Sequence, residues 1–373
     1  MNICLISRVF YLGGVSTHLI DLSECLIKKG HNVTIMTAGP INPQKKENVQ
    51  LFEDYLKLGV KYIHIDFPLT SNNKFKYLSG LFLSSFKAMN ILKKEKFDII
   101  HVHTPILSFI PKFCGLKFVR TVHANLASMS FFDIKADKEI AISNELYKFA
   151  KEKYKYNEHD IFLIKNGVSY EKLKDINELE IVELKKKLNI NEEIVISLVG
   201  GINFNKGHDL LINSLKKIDS QIKAKIKIIF LGDGSDEYIS KIKEIIDLSG
   251  LSNKVIFLSF QDPKNIYALS NIVVLPSRKE GYGLVVVEAM LMGCCVIRSK
   301  SGGAYDQIQD GTTGLLFEVE NIDQLTACLN LVLKDNSLRN KIALTGQQIA
   351  VENFTSEKMT LKTLDVYKQL LDI

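Results

Sequence analysis

Apolar residues along the chain fall into short continuous runs, separated by longer segments whose apolar positions recur three and four residues apart. The runs over 2–7, 32–37, 60–65, 98–103, 118–123, 140–143 and 161–164 read as strands, and the segments between them read as helices. In the first of these helices, 16–29, Leu19, Leu22, Cys25 and Leu26 share one face. Runs that stay apolar throughout, alternating with amphipathic helices, predict a doubly wound parallel sheet covered on both faces. A second series of the same kind runs through 194–199, 226–231, 255–258 and 272–275. Between the two series, 171–193 is polar and charged, with helical spacing over 178–188. The pattern predicts an α/β chain of two Rossmann-like domains, 1–170 and 194–355, joined by a connection over 171–193.

Composition narrows the class. With 373 residues, the chain is long enough for two substantial cores. No apolar run reaches the length of about 18 residues that a spanning helix needs, and the strand pattern begins at the first residues, so no signal peptide is expected. The six cysteines (Cys4, Cys25, Cys114, Cys294, Cys295, Cys328) are scattered without C-x-x-C, as buried reduced thiols in a cytoplasmic protein would be. The net charge of +6 is modest, lysine outnumbers arginine, and no basic stripe interleaved with aromatics appears, which argues against a nucleic-acid partner. Lysines do gather over 74–96, mixed with Phe75, Tyr77, Leu81, Phe82, Leu83, Phe86 and Met89. That segment fits a core-packed helix with a solvated lysine face, and also a helix lying on an anionic bilayer at the inner face of the cell membrane.

The densest chemistry lies over 276–297. Pro276 and Ser277 end a buried strand, Glu280 and Glu288 follow with seven residues between them, and Gly281 and Gly283 precede a helix over 284–292. A glycine turn opening a helix presents free N–H groups and the positive end of the helix dipole, a natural seat for phosphate. Glu288 falls among Val285, Val286, Val287, Ala289 and Met290, where a carboxylate needs a partner. Two carboxylates able to accept from hydroxyls, beside a phosphate seat, suit a sugar nucleotide. Gly13-Gly14 makes another ligand-sized turn, after the first strand. It is not G-x-G-x-x-G, and no acidic ribose ligand follows the second strand, so a dinucleotide dehydrogenase is poorly supported. Asp233 and Asp236 read as a turn and a helix cap, and His101, His103 and His123 lack an acid to complete a metal set, so no obligatory metal is expected.

The stretch over 276–297 resembles the donor-site signature of the retaining glycosyltransferases of family 4, which have the GT-B fold of two Rossmann-like domains facing across a cleft. The resemblance implies that Glu280 binds donor-sugar hydroxyls, that Glu288 binds the ribose, and that Gly281, Tyr282, Gly283 and Leu284 form the turn whose 283–284 amides hold the diphosphate. It places Gly13 and Gly14 between donor and acceptor, His123 in Thr121-Val122-His123-Ala124-Asn125 at the reaction centre, and the backbone at Ser259 and Phe260 against the nucleobase. Lys206-Gly207 matches the family's phosphate-gripping lysine. Gly201 stands where the family has an arginine, with Arg278, Lys279 and Arg298 as candidate substitutes. Ala141-Ile142-Ser143 and Asn166-Gly167-Val168 fit as well, Ser143 ending a strand with its hydroxyl near the cleft, and the closing helix 356–373 would pack back on the first domain. The implied reaction is metal-independent, with no cofactor: retaining transfer of a hexosyl or N-acetylhexosaminyl group from a nucleotide sugar, UDP-linked before GDP-linked, to a glycan, lipid-linked or polymer acceptor, as in polysaccharide biosynthesis. Two other readings stay open: an inactive nucleotide-sugar-binding subunit, and a sugar-nucleotide epimerase of the same fold.

Overall fold

The computed structural model describes residues 1–68, 74–124 and 134–372. The chain forms two parallel α/β units, one of Met1–Gly167 with the segment from Ser356 onward, the other of Val168–Thr355. In the first, β1 (Asn2–Ile6), β2 (Asn32–Thr37), β3 (Lys61–His64), β4 (Ile99–Val102), β5 (Val119–Val122), β6 (Lys138–Ala141) and β7 (Ile161–Leu163) lie in the order 3-2-1-4-5-6-7. Alternation along β1 shows why both faces carry helices. Ile3 and Leu5 join Leu19, Leu22 and Leu26 of helix Gly14–Lys28 and Met359 and Tyr367 of helix Ser356–Leu371. Cys4 and Ile6 point the other way, toward Leu81, Ala88 and Leu92 of helix Lys74–Lys94.

One buried ion pair ties two central strands. Arg120 on β5 stands beside Glu139 on β6, and both side chains are fully buried. The guanidinium reaches both carboxylate oxygens, with Nε to Oε1 at 2.9 Å and Nη2 to Oε2 at 2.8 Å. Its other donors serve Ser108 Oγ and the Ile134 carbonyl, while the Tyr156 hydroxyl donates to Glu139 Oε2 at 2.6 Å. Complete bonding is what makes two charges tolerable in a core.

In the second unit, β8 (Ile194–Val199), β9 (Ile226–Leu231), β10 (Val255–Leu258), β11 (Ile272–Leu275), β12 (Cys295–Ser299) and β13 (Leu315–Phe317) lie in the order 10-9-8-11-12-13. Ile196, Leu198, Ile228, Phe230, Ile272, Val274 and Ile297 build the main core. Both sheets reverse direction beside their first strand, between β1 and β4 and between β8 and β11. Loops at the carboxyl ends of those strands flank a switch point, where open α/β sheets hold ligands.

The segment 171–193 is not a free connection. Helix Tyr170–Lys174 packs on helix Leu284–Leu291, and helix Glu178–Lys187 packs on helix Lys264–Leu269. The helix expected over 178–188 is present as Glu178–Lys187; none of its residues is buried, yet it is docked through Asn265 Nδ2 to Glu180 Oε2 at 3.2 Å. The units instead divide at Gly167 and Val168, where Val168 N donates to Phe354 O at 2.9 Å and the two chain crossings run side by side. Residue 373 of the closing helix lies outside the described residues.

The helix Lys74–Lys94 also departs from a simple lysine face. It buries Leu81, Ser84, Ser85, Ala88 and Leu92, and its outer side shows Phe75 (82% exposed), Leu78 (49%), Phe82 (73%), Leu83 (69%) and Phe86 (58%). Among the described residues no helix is long and apolar enough to cross a membrane.

Breaking the buried pair tests the first unit's packing. Glu139→Ala strands a buried guanidinium and is expected to lower stability by about 3–5 kcal/mol in urea unfolding; a loss under about 1 kcal/mol would show that water reaches the site.

Candidate functional site

In the second unit two loops converge beside the switch point. After β8, residues Phe204–Lys206 form a short 3-10 turn, and Gly207 closes it at φ 73°. A Cβ on Gly207 would overlap the Pro276 carbonyl, and Arg278 N donates to Asn205 O at 2.7 Å, so the loops after β8 and β11 are joined by backbone. The result brings Lys206 Nζ to Glu280 Oε2 at 2.7 Å, both side chains mostly sheltered. Ser277 Oγ also donates to Glu280 Oε2 (3.2 Å), and Gly281 N to Oε1 (3.2 Å). A second join lies opposite. Gly302, at φ 55°, has no room for a Cβ against the Gly281 carbonyl, and Gly303 N donates to that same carbonyl at 3.0 Å. Gly281 is exposed at this seam, Gly283 N-caps the helix Leu284–Leu291, and the cap has no side-chain bond of its own. A cationic lysine, a carboxylate and an uncapped helix N-terminus therefore meet at one point.

The remaining donor-side residues sort themselves around it. Glu288 is half-buried and takes the Tyr267 hydroxyl on Oε2 at 2.7 Å. Burial raises its carboxyl pKa against the pull of that bond, with Asp262 adding to the rise. Tyr282 is buried, its ring beneath Gly303, and only its backbone belongs to the turn. Phe260 is 49% exposed, and its amide already donates to Asp233 Oδ1 at 3.1 Å. Asp233 is thus a loop tie, and the cap of helix Asp236–Leu248 is Ser235, whose Oγ accepts from Tyr238 N. Gly201 is exposed and held by Asn203 Nδ2 on its carbonyl.

The candidate arginines differ. Arg278 is consumed by Asp209 (2.7 Å), Glu320 (2.7 Å) and the Phe204 carbonyl, with its guanidinium 3.8 Å over the Phe204 ring. It clamps the loops and has no fork left for phosphate. Lys279 is exposed. Arg298 is fully buried under the turn.

In the first unit the Gly13-Gly14 turn opens helix Gly14–Lys28, with Gly13 as its N-cap. One turn into that helix, His18 meets His103 and His123, their ligating atoms all within 4.8 Å of one another. His103 Nδ1 and His123 Nε2 share a hydrogen bond at 3.1 Å, and His18 Nδ1 donates to Asn166 Oδ1 at 2.9 Å. Burial lowers the pKa of all three and of His101, with the neighbouring imidazoles adding to it at His101, His103 and His123, so the cluster is neutral at pH 7. His101 is occupied by Tyr367 and Thr121. Sequence reading missed His18 and the orienting role of Asn166. The signal was a histidine beside Leu19 on an otherwise apolar helix face. Ser143, expected to end a strand with its hydroxyl near the cleft, N-caps helix Asn144–Tyr154. Asn125 lies outside the described residues.

The sequence matches the family described as glycosyl transferases group 1 over residues 180–348 and glycosyltransferase family 4 over residues 12–172. The chain belongs to glycosyltransferase family 4. An uncharacterised glycosyltransferase of Methanocaldococcus jannaschii is 24% identical to it, over 97% of this chain and 96% of that one. The N-acetyl-alpha-D-glucosaminyl L-malate synthase of Bacillus anthracis is 26% identical, over 96% and 95%. Among solved structures, Anabaena HepE in complex with UDP superposes with a TM-score of 0.82 at 20% identity, over 99% of this chain and 100% of that one. The architecture of this glycosyltransferase is GT-B.

If the Gly207 join sets the loops, Gly207→Ala is expected to cost about 2 kcal/mol in thermal or urea unfolding. An unchanged midpoint would mean that the two loops are not fastened there.

Proposed function

We propose that this glycosyltransferase moves a sugar, with retention at the anomeric carbon, from a nucleoside diphosphate sugar to a glycan, glycolipid or cell-surface polymer acceptor, without an obligatory metal. The observation that carries the reading is the meeting of Lys206, Glu280 and the helix N-terminus at Gly283 in a single seat. As the bond from the anomeric carbon to the phosphate oxygen breaks, its electron pair goes to the leaving diphosphate. Lys206, the amides of Gly283 and Leu284, and the helix dipole stabilise that growing charge. The acceptor hydroxyl attacks from the same face, and its proton passes to the departing phosphate, so no enzymic nucleophile is needed. Glu280 binds donor-sugar hydroxyls, and Glu288, whose Oε1 is left by the Tyr267 bond, receives the ribose. The neutral imidazole of His123 offers a hydrogen bond to a sugar or acceptor hydroxyl. UDP is the favoured nucleotide, supported by the UDP and UDP-glucose complexes of Anabaena HepE.

The helix Lys74–Lys94 supports a membrane-proximal acceptor. Its exposed phenylalanines and leucines form a stripe, and Lys87, Lys93 and Lys94 lie on the same element, with no acidic residue from 67 to 94. Apolar burial and lysine attraction add up on an anionic surface.

A panel of UDP-, GDP- and ADP-sugars, incubated without acceptor and with EDTA, is expected to show slow nucleotide release from one donor. Release should be lost in Lys206→Ala and Glu280→Ala, and release that survives in both would remove the seat from the reaction. On the membrane side, Phe82→Ser with Phe86→Ser is expected to weaken sedimentation with phosphatidylglycerol vesicles by at least about tenfold. Equal sedimentation of both proteins would remove the helix from membrane contact.

A further inference from the structure

Two arginines are fully buried in this molecule, and they are treated differently. Arg120 has a carboxylate against it. Arg298, on β12, has none: among the described residues no carboxylate oxygen comes within ion-pair distance of its guanidinium, and its acceptors are neutral. They are the carbonyls of Tyr282 (3.2 Å), Ser301 (2.6 Å) and Ser299 (3.4 Å), and the side-chain oxygen of Gln307. Burial lowers its pKa only to about 10, so the group stays charged at neutral pH, with Glu280 and Asp306 acting on it through space. A buried charge without a touching counter-ion is costly to keep.

Its position shows what the charge is for. Tyr282 belongs to the phosphate turn, and Ser301 opens the glycine loop that seals against Gly281. Gln307 links Arg298 onward, its Nε2 donating to Gly283 O at 3.2 Å, and Arg298 Nη1 lies 3.5 Å from where a Gly283 Cβ would stand. The guanidinium therefore ties both halves of the seat from beneath, directly behind the helix N-terminus. Gly201, standing where the family has an arginine, supplies no charge.

We infer that Arg298 is the positioning residue of the phosphate seat, holding the Gly281–Gly283 turn in its anion-binding shape and leaving its own charge to be balanced by the bound diphosphate. The inference rests on the donor reading given above. The diphosphate does not touch Arg298; it bonds to the amides and to Lys206, and the buried charge strengthens those bonds in a low-dielectric surrounding.

The test is a set of dissociation constants from ligand-observed NMR, for UDP, GDP and ADP and for uridine, guanosine and adenosine, in wild type, Arg298→Met, Arg298→Lys and Gln307→Leu. Arg298→Met is expected to weaken the selected nucleoside diphosphate by about tenfold or more while leaving its nucleoside unchanged. Arg298→Lys, which keeps the charge and loses the fork, should fall between that variant and wild type. If Arg298→Met does not fold, Gln307→Leu decides, with an expected loss of roughly threefold to tenfold for the diphosphate alone. Equal losses for nucleoside and diphosphate would reduce Arg298 to a general structural role and overturn the inference, as would diphosphate binding unchanged from wild type. A wild-type protein that binds none of the nucleoside diphosphates would overturn the donor reading itself and the inference with it, an outcome distinct from binding that Arg298→Met retains.

Discussion

Lysine at the end of one loop and glutamate at the end of another can meet at 2.7 Å only if both loops are held, and here backbone holds them. Gly207 against Pro276, and Gly302 against Gly281, leave no space for a side chain, so each contact fixes its loop to within the thickness of a peptide. Arg278 adds the outer clamp through Asp209, Glu320 and Phe204. Under the donor reading proposed above, the ion pair is the arrangement a diphosphate would open. Its carboxylate is bonded by Ser277 and Gly281 as well, so it has partners of its own if the lysine turns to phosphate. Preorganisation of this kind reduces the reorganisation required during the reaction.

Charge is distributed with the same economy. The first unit hides one guanidinium and matches it with a carboxylate, and it gathers imidazoles that burial keeps neutral. The second unit matches Lys206 with Glu280 and leaves the helix dipole and the guanidinium of Arg298 around one turn. Under the proposed donor reading, a ligand carrying two negative phosphates would balance that charge, whereas a neutral ligand would not.

Many of the strands could be read from the chain, though not their order in the sheets. The strands 194–199, 226–231, 255–258 and 272–275 coincide with the observed ones because each is a short apolar run stopped by glycine, proline or a polar turn. In the first unit β2 has its expected bounds, β6 lies two residues earlier than expected, and the other strands are trimmed by a residue at one or both ends, as at His103 and His123, which lie just past β4 and β5. The helix Glu178–Lys187 is legible in its spacing, but its docking on Lys264–Leu269 is not, because it buries no side chain that would mark a contact face. In the site, the residue types and the glycine turn were legible in one contiguous stretch. The Lys206–Glu280 pair, the consumption of Arg278 by Asp209, and the approach of His18 to His103 were not, because each joins residues far apart in sequence. Only the strand register and the loop seams bring them together.

The most direct measurement is a double-mutant cycle on UDP affinity, by titration calorimetry, with Lys206→Ala, Glu280→Gln and the pair. If diphosphate takes Lys206 from Glu280, Glu280→Gln binds UDP as tightly as wild type or more tightly while sugar transfer is lost, and Lys206→Ala weakens UDP by about tenfold or more. Equal weakening by both single variants, or none by Lys206→Ala, would contradict the assignment of this seat to the leaving diphosphate.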